Sequence, residues 1–65
     1  MANIADNVRK ARKKAGLSQD KLAREADVAY NTVVKIESGE NKNPTIETLG
    51  SIAKALDVSV DELIK

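Results

Sequence analysis

Ser18-Gln19-Asp20-Lys21-Leu22-Ala23-Arg24-Glu25-Ala26-Asp27-Val28-Ala29-Tyr30-Asn31-Thr32-Val33-Val34-Lys35-Ile36-Glu37-Ser38 is the stretch on which the reading of this chain turns. Ser18 is placed to cap a helix whose buried stripe is Leu22, Ala23 and Ala26, a spacing that shares one helix face. Asp27 falls where the chain must turn sharply, and Val28 anchors that turn. A second helix runs from about Ala29 to Ser38, burying Val33 and Ile36, and Gly39 stops it. Helices this short are unstable alone, and only about three residues separate them. So tight a connection forces a steep crossing, in which one helix projects while the other braces it.

The same helical spacing continues in both directions. Upstream, Ile4, Val8, Ala11 and Ala15 recur at intervals of four and three and fall on one face. Asn3 caps that first helix with Asp6 reinforcing its start, Gly16 ends it in the left-handed region, and Leu17 packs inward. Downstream, Glu40-Asn41-Lys42-Asn43-Pro44 is too rich in turn formers to remain helical. Thr45 caps a fourth helix with Leu49, Ile52, Ala53 and Leu56 inward, and Asp57 again occupies a turn. Ser59 and Glu62 make the S-x-x-E capping box of a fifth helix, to which Val60, Leu63 and Ile64 give a sticky side. No stretch alternates as a strand would, and no linker interrupts the pattern. The expectation is an all-α, compact five-helix bundle, with residues 1–65 as one domain.

Composition narrows the chemistry. The 65 residues include neither Cys nor His, which excludes disulfides, thiolate or imidazole metal sites, and cysteine or histidine catalysis. An enzyme is therefore a remote reading, and no cofactor or metal is expected. The longest uncharged runs fall far short of the roughly 20 residues needed to cross a bilayer. Asp6 stands where a signal peptide would be basic, so the expected location is cytoplasmic, away from any membrane. Net charge is only +1, yet residues 1–24 carry +5 and residues 25–65 carry −4. Such polarity suits a domain that turns one face to a polyanion, although a solvated helix face explains a run of cations equally well.

Taken together, Ser18-Gln19-x-x-Leu22-Ala23-x-x-x-x-Val28, Val33-x-x-Ile36-Glu37-x-Gly39, Pro44-Thr45-x-x-x-Leu49 and Leu56-x-Val58-Ser59-x-x-x-Leu63 resemble the Cro/phage-repressor (XRE-type) helix-turn-helix family. The likeness runs from about Val8 to Leu63, and the combined string carries it because no single element is diagnostic. It implies a five-helix domain of the phage-repressor type that binds double-stranded DNA, usually as a symmetric dimer, to regulate transcription. The second helix of the motif would enter the major groove while the first spans the backbone.

By that resemblance Tyr30, Asn31 and Lys35 match base-reading positions. Asn can bond adenine through two contacts, Lys favours guanine O6 and N7, and Tyr can meet a thymine methyl or a phosphate. Ala29 would permit close approach and touch a thymine methyl. Gln19 matches a position that reaches a phosphate and braces the recognition helix, and Thr32 matches a phosphate-contacting hydroxyl. Arg12 and Glu37 match an ion pair that fixes the third helix, with Arg12 also offering charge to phosphate. Asn41, Lys42 and Asn43 lie in a loop resembling the family's second backbone clamp. Lys10, Lys13 and Lys14 read first as a solvated face.

Asp27 and Asp57 depart from the pattern, since relatives usually have Gly there, and Asp tolerates the left-handed region less well. A single module reads few base pairs. A homodimer on a palindromic operator, with half-sites roughly 34 Å apart, is therefore expected, and Val58, Val60 and Ile64 are candidates for the dimer contact. Repression is expected over activation. The alternative is a protein-interaction module, an antitoxin or adaptor domain on the same fold.

Overall fold

Four of the five helices begin on a side chain that replaces a missing backbone partner. A computed structural model describes residues 3–65 and places α1 at Ile4–Lys14, α2 at Gln19–Ala26, α3 at Tyr30–Ser38, α4 at Ile46–Leu56 and α5 at Val60–Ile64. Asn3, Ser18, Thr45 and Ser59 each accept a hydrogen bond from the backbone N–H three residues on, satisfying one of the first-turn donors. For α5 only the Ser59 half of the expected capping box is made, with Glu62 N donating to Ser59 Oγ at 3.3 Å. α3 starts one residue later than its sequence suggests. Ala29 is extended and sits at the cap position without a side-chain bond.

The turn expected after Ala26 is built twice. Asp27 (φ 57°) and Asp57 (φ 58°) are both left-handed. At the first turn Asp27 N donates to Arg24 O at 3.2 Å and Val28 N to Ala23 O at 3.0 Å. At the second, Asp57 N donates to Lys54 O at 3.2 Å and Val58 N to Ala53 O at 3.0 Å. This pairing closes the helix end and swings the next helix across it. Gly16 and Gly39 take the same left-handed region after α1 and α3, as their positions in the sequence imply.

All five helices meet in one core. Val8 of α1, Leu22 of α2, Val33 and Ile36 of α3, Ile52 of α4 and Leu63 of α5 are wholly shielded, and Ala23, Ala26, Leu49, Ala53 and Leu56 surround them. Fully burying each large side chain contributes about 1.5–3 kcal/mol, which a chain of this length needs from every helix. Ile4, Ala11, Leu17 and Val28 pack against the rim as expected. Ala15 does not: it lies one residue beyond α1, at its C-cap, and is exposed. Asn7 of α1 ties down the short α5 by donating to Leu63 O at 3.0 Å and Lys65 O at 2.9 Å. Among the described residues no helix is long and apolar enough to cross a membrane.

An Asp in the left-handed region is strained, and its charge opposes the negative end of the helix it terminates. Asp27→Gly and Asp57→Gly are each expected to stabilise the fold by about 0.5–1 kcal/mol. Thermal unfolding followed by circular dichroism should register each as a rise of roughly 2–8 °C.

Candidate nucleic-acid interface

A carboxylate inside the bundle organises the surface outside it. Glu37, in the last turn of α3, is only 5% exposed. A bare charge there would be costly, so its oxygens need donors. Arg12 of α1 supplies two, Nε to Oε2 at 2.6 Å and Nη2 to Oε1 at 3.0 Å, the fork geometry of a guanidinium on a carboxylate. Gln19, the first residue of α2, supplies a third from Nε2 to Oε1 at 3.1 Å. Arg12 also donates from Nη1 to Leu17 O at 2.8 Å, which fixes the link between α1 and α2. Hydrogen bonding to Glu37 raises the Arg12 pKa above its ordinary value against the opposing cost of burial, so the guanidinium stays charged. One buried acid thereby joins α1, the start of α2 and the end of α3.

With Val33, Ile36 and Glu37 turned inward, the other side of α3 is free. Tyr30, Asn31, Lys35 and Ser38 are exposed, and Ala29 is exposed just before them. Their spacing places them along one helix face, with half-buried Val34 between Tyr30 and Ser38 and half-buried Thr32 at the edge beyond Lys35. Tyr30 is the only aromatic residue in the chain, and at 49% exposed it is not spent on the core. α3 then stops at Gly39, and the loop folds back on it, with Asn41 N donating to Lys35 O at 3.0 Å. The Asn41 side chain accepts from Asn43 N at 3.1 Å, leaving Lys42 exposed at the bend. The α3 and loop candidates thus form one continuous stretch, with the loop bonded to the carbonyl of Lys35.

The structure redistributes the charges. Arg12 is mostly covered, its side chain 12% exposed, and three of its N–H groups are already engaged. Arg24 pairs with Asp20 on the exposed side of α2 at 2.6 Å. Lys10 and Lys14 border the cleft between α1 and α5, beside Asp57 and Glu62. The apolar candidates for a dimer contact also divide: Val58 and Val60 pack against the core, and only Ile64 is exposed. Ile46 had no place in the sequence reading and is 72% exposed. Its spacing from Leu49 fits the buried stripe, but it begins α4 and overhangs the core. Arg9 was likewise overlooked, and it donates from Nη1 to Glu37 O at 3.1 Å. Its position one turn before Arg12, on the same helix, is the signal that marks it. Among the described residues no group of acids could hold a metal ion.

Two short helices joined by a tight left-handed turn, the second exposing a polar stripe, define a helix-turn-helix module. Residues 8–63 match the helix-turn-helix family, and the chain belongs to it, in its Cro/phage-repressor branch. It is 36% identical over 61 residues to the HTH-type transcriptional regulator SinR of Bacillus subtilis, covering 94% of this chain and 55% of the relative. It is 38% identical over 60 residues to the cryptic phage CTXphi transcriptional repressor RstR of Vibrio cholerae, covering 92% of this chain and 53% of that protein. The chain thus spans about half the length of these relatives. The solved structure of SinR in complex with DNA superposes with a TM-score of 0.90 at 37% identity, over 92% of this chain and 95% of that one.

Removing Glu37 would strand a nearly buried guanidinium and break three side-chain bonds. Glu37→Ala is expected to cost about 3–5 kcal/mol, against a total stability of roughly 3–10 kcal/mol for a chain this long. Gln19→Ala, which removes one bond to the same acid, should cost only about 1–2 kcal/mol. Urea unfolding monitored by circular dichroism measures both.

Proposed function

We propose that this chain is a sequence-specific double-stranded DNA-binding domain of a transcriptional regulator, acting as a repressor, with α3 lying in the major groove. Residues 1–65 would act as one binding unit. The observation that carries this reading is the division of α3 into two faces. One face is locked by the core and by Glu37, while the other presents Tyr30, Asn31 and Lys35 to solvent, with no side-chain hydrogen bond or ion pair among the described residues. A rigid helix with an idle polar stripe fits a groove about 12 Å wide. The likeness to SinR, solved with DNA, and to RstR, named as a repressor, supports the same reading.

In this reading Asn31 and Lys35 bond base edges, Tyr30 meets a thymine methyl or a phosphate, and Ala29 allows the close approach. Thr32, half-buried on α3, and the Gln19 amide at the start of α2 hold phosphates. Asn41, Lys42 and Asn43 hold others, with Lys42 supplying the charge and the Asn41 side chain shaping the loop. Arg12 acts through Glu37 and positions α3, because its donors are already committed. The protein pairs with a second copy at least on DNA, on a palindromic operator whose half-sites lie roughly 34 Å apart. Among the described residues, Ile64 and Ile46 are the exposed large aliphatic side chains available for that contact. A duplex target places the protein with the DNA in the cytoplasm, and binding needs no cofactor.

Selection of bound duplexes from a random pool tests this directly. A recovered palindrome is expected, with affinity falling steeply as salt rises through counterion release. Asn31→Ala and Lys35→Ala should each cost about 1–3 kcal/mol on the recovered site and relax the preference at one base pair. Because Tyr30 is the sole aromatic residue and there is no Trp, its emission reports on α3 alone and should change on binding. A pool that yields no consensus, with no change in Tyr30 emission, would overturn the reading in favour of a protein-binding module.

A further inference from the structure

We propose that Arg9 is a positioning residue for DNA reading, a guy-rope from the outer side of α1 that sets the tilt of α3 without itself touching DNA. The inference rests on the function proposed above and concerns how that function is made specific. Arg9 Nη1 donates to the backbone carbonyl of Glu37 at 3.1 Å, while Nη2 is held by the Asp6 carboxylate. Asp6 is fixed in turn by Asn3 Nδ2, which donates to Asp6 Oδ2 at 2.8 Å. A chain of polar contacts thus runs from the first turn of α1 to the last turn of α3. It is separate from the Arg12 fork, which grips the Glu37 side chain.

The carbonyl that Arg9 meets belongs to the negative end of α3, where the last carbonyls lack helical partners and a cation is favoured. Its neighbours are satisfied from elsewhere: Lys35 O accepts from Asn41 N and Ser38 Oγ, and Ile36 O accepts from Gly39 N. Ala29, at the opposite end of α3, makes no side-chain cap bond, and that end is tied through the turn before it, where Asp27 N donates to Arg24 O and Val28 N to Ala23 O. Among the described residues, side-chain bonds from other helices therefore reach α3 at its C-terminal end, while its N-terminal end is held by that turn and by apolar packing, which is not directional. Tyr30 stands about 10 Å along the axis from Glu37, so a tilt of roughly 10° about the anchored end displaces it by roughly 2 Å. That exceeds the tolerance of a two-bond contact to a base edge, whereas a phosphate contact by a long side chain adapts to it.

Arg9→Lys keeps the charge but replaces two separated guanidinium nitrogens by one shorter-reaching ammonium, which weakens the bridge between Asp6 and the Glu37 carbonyl, and Asp6→Asn leaves Arg9 in place while loosening its hold. Three measurements on these variants and on the uncharged Arg9→Gln separate the possibilities: orientation of α3 relative to α1 in the DNA-free protein by residual dipolar couplings, affinity for the selected duplex and a scrambled one, and the salt dependence of each. The expected result for Arg9→Lys is a folded protein with a shifted α3. Its affinity for the selected duplex should be roughly tenfold weaker, with little change on the scrambled duplex and an unaltered salt slope. Asp6→Asn should move the same readouts in the same direction by less. An unchanged α3 orientation or an unchanged preference between duplexes would overturn the proposal. So would Arg9→Gln lowering the salt slope by about one, the mark of a lost phosphate contact. If the unsubstituted protein binds no duplex at all, the functional reading fails, while the dipolar couplings still decide whether Arg9 sets the tilt of α3.

Discussion

The Glu37 carboxylate is the point on which the arrangement of the helices depends. Apolar packing gathers five short helices, but it is non-directional and tolerates sliding and rotation. Glu37 adds direction, because an acid this deeply covered is tolerable only where donors meet it with good geometry. Arg12 reaches it from α1 and Gln19 from α2, so α3 is compatible with only a narrow range of positions relative to both. The side chain that is costliest to bury is also the one that fixes the helix whose outer face is left exposed.

This arrangement explains why α3 can be short and still precise. Nine residues would not form a stable helix in isolation. Here Val33 and Ile36 fill the core, Glu37 is clamped and Gly39 ends the helix, so the polar stripe needs no internal partners to hold its shape. It also changes the meaning of the charge pattern. The cations crowded into the first 24 residues do not make one basic wall. Arg9, Arg12 and Arg24 are tied to acids or carbonyls, and Lys10 and Lys14 flank the α1–α5 cleft beside Asp57 and Glu62. Lys35 and Lys42 are the exposed cations of α3 and its following loop. The arginines of the first 24 residues are thus engaged within the protein, while the lysines there, Lys10, Lys13, Lys14 and Lys21, remain exposed on the surface.

Much of this was legible in the sequence, and the reasons differ from element to element. Ser18, Thr45 and Ser59 announced helix starts because an N-cap is a local bond between residues three apart. Asp27 and Asp57 announced the turns through the interruption of the apolar spacing, and both take the left-handed conformation expected of them. The Arg12–Glu37 pair was legible only through the family pattern, since the two residues are 25 positions apart and nothing local links them. What could not be read was which residues overhang the core. Ala15 fits the spacing of α1 but lies past its end, and Ile46 fits α4 but precedes the part that is covered. Part of the set Val58, Val60 and Ile64 has to close the core, and α5 is too short for its pattern to show which; Val58 and Val60 do so. Arg9 is marked only by its place one turn before Arg12, since its partner at α3 is a backbone carbonyl, which leaves no mark on residue identity.

A double-mutant cycle on Arg12 and Glu37 tests the central claim most directly. Arg12→Met, Glu37→Leu and the combined variant would be compared with the unsubstituted protein by urea unfolding. If the buried pair couples α1 to α3, each single change strands a charge, and the combined variant is more stable than the worse single, with a coupling energy of about 1.5–3 kcal/mol. Effects that add to within about 0.5 kcal/mol would mean the two side chains act independently. In that case the orientation of α3 would have to come from apolar packing alone.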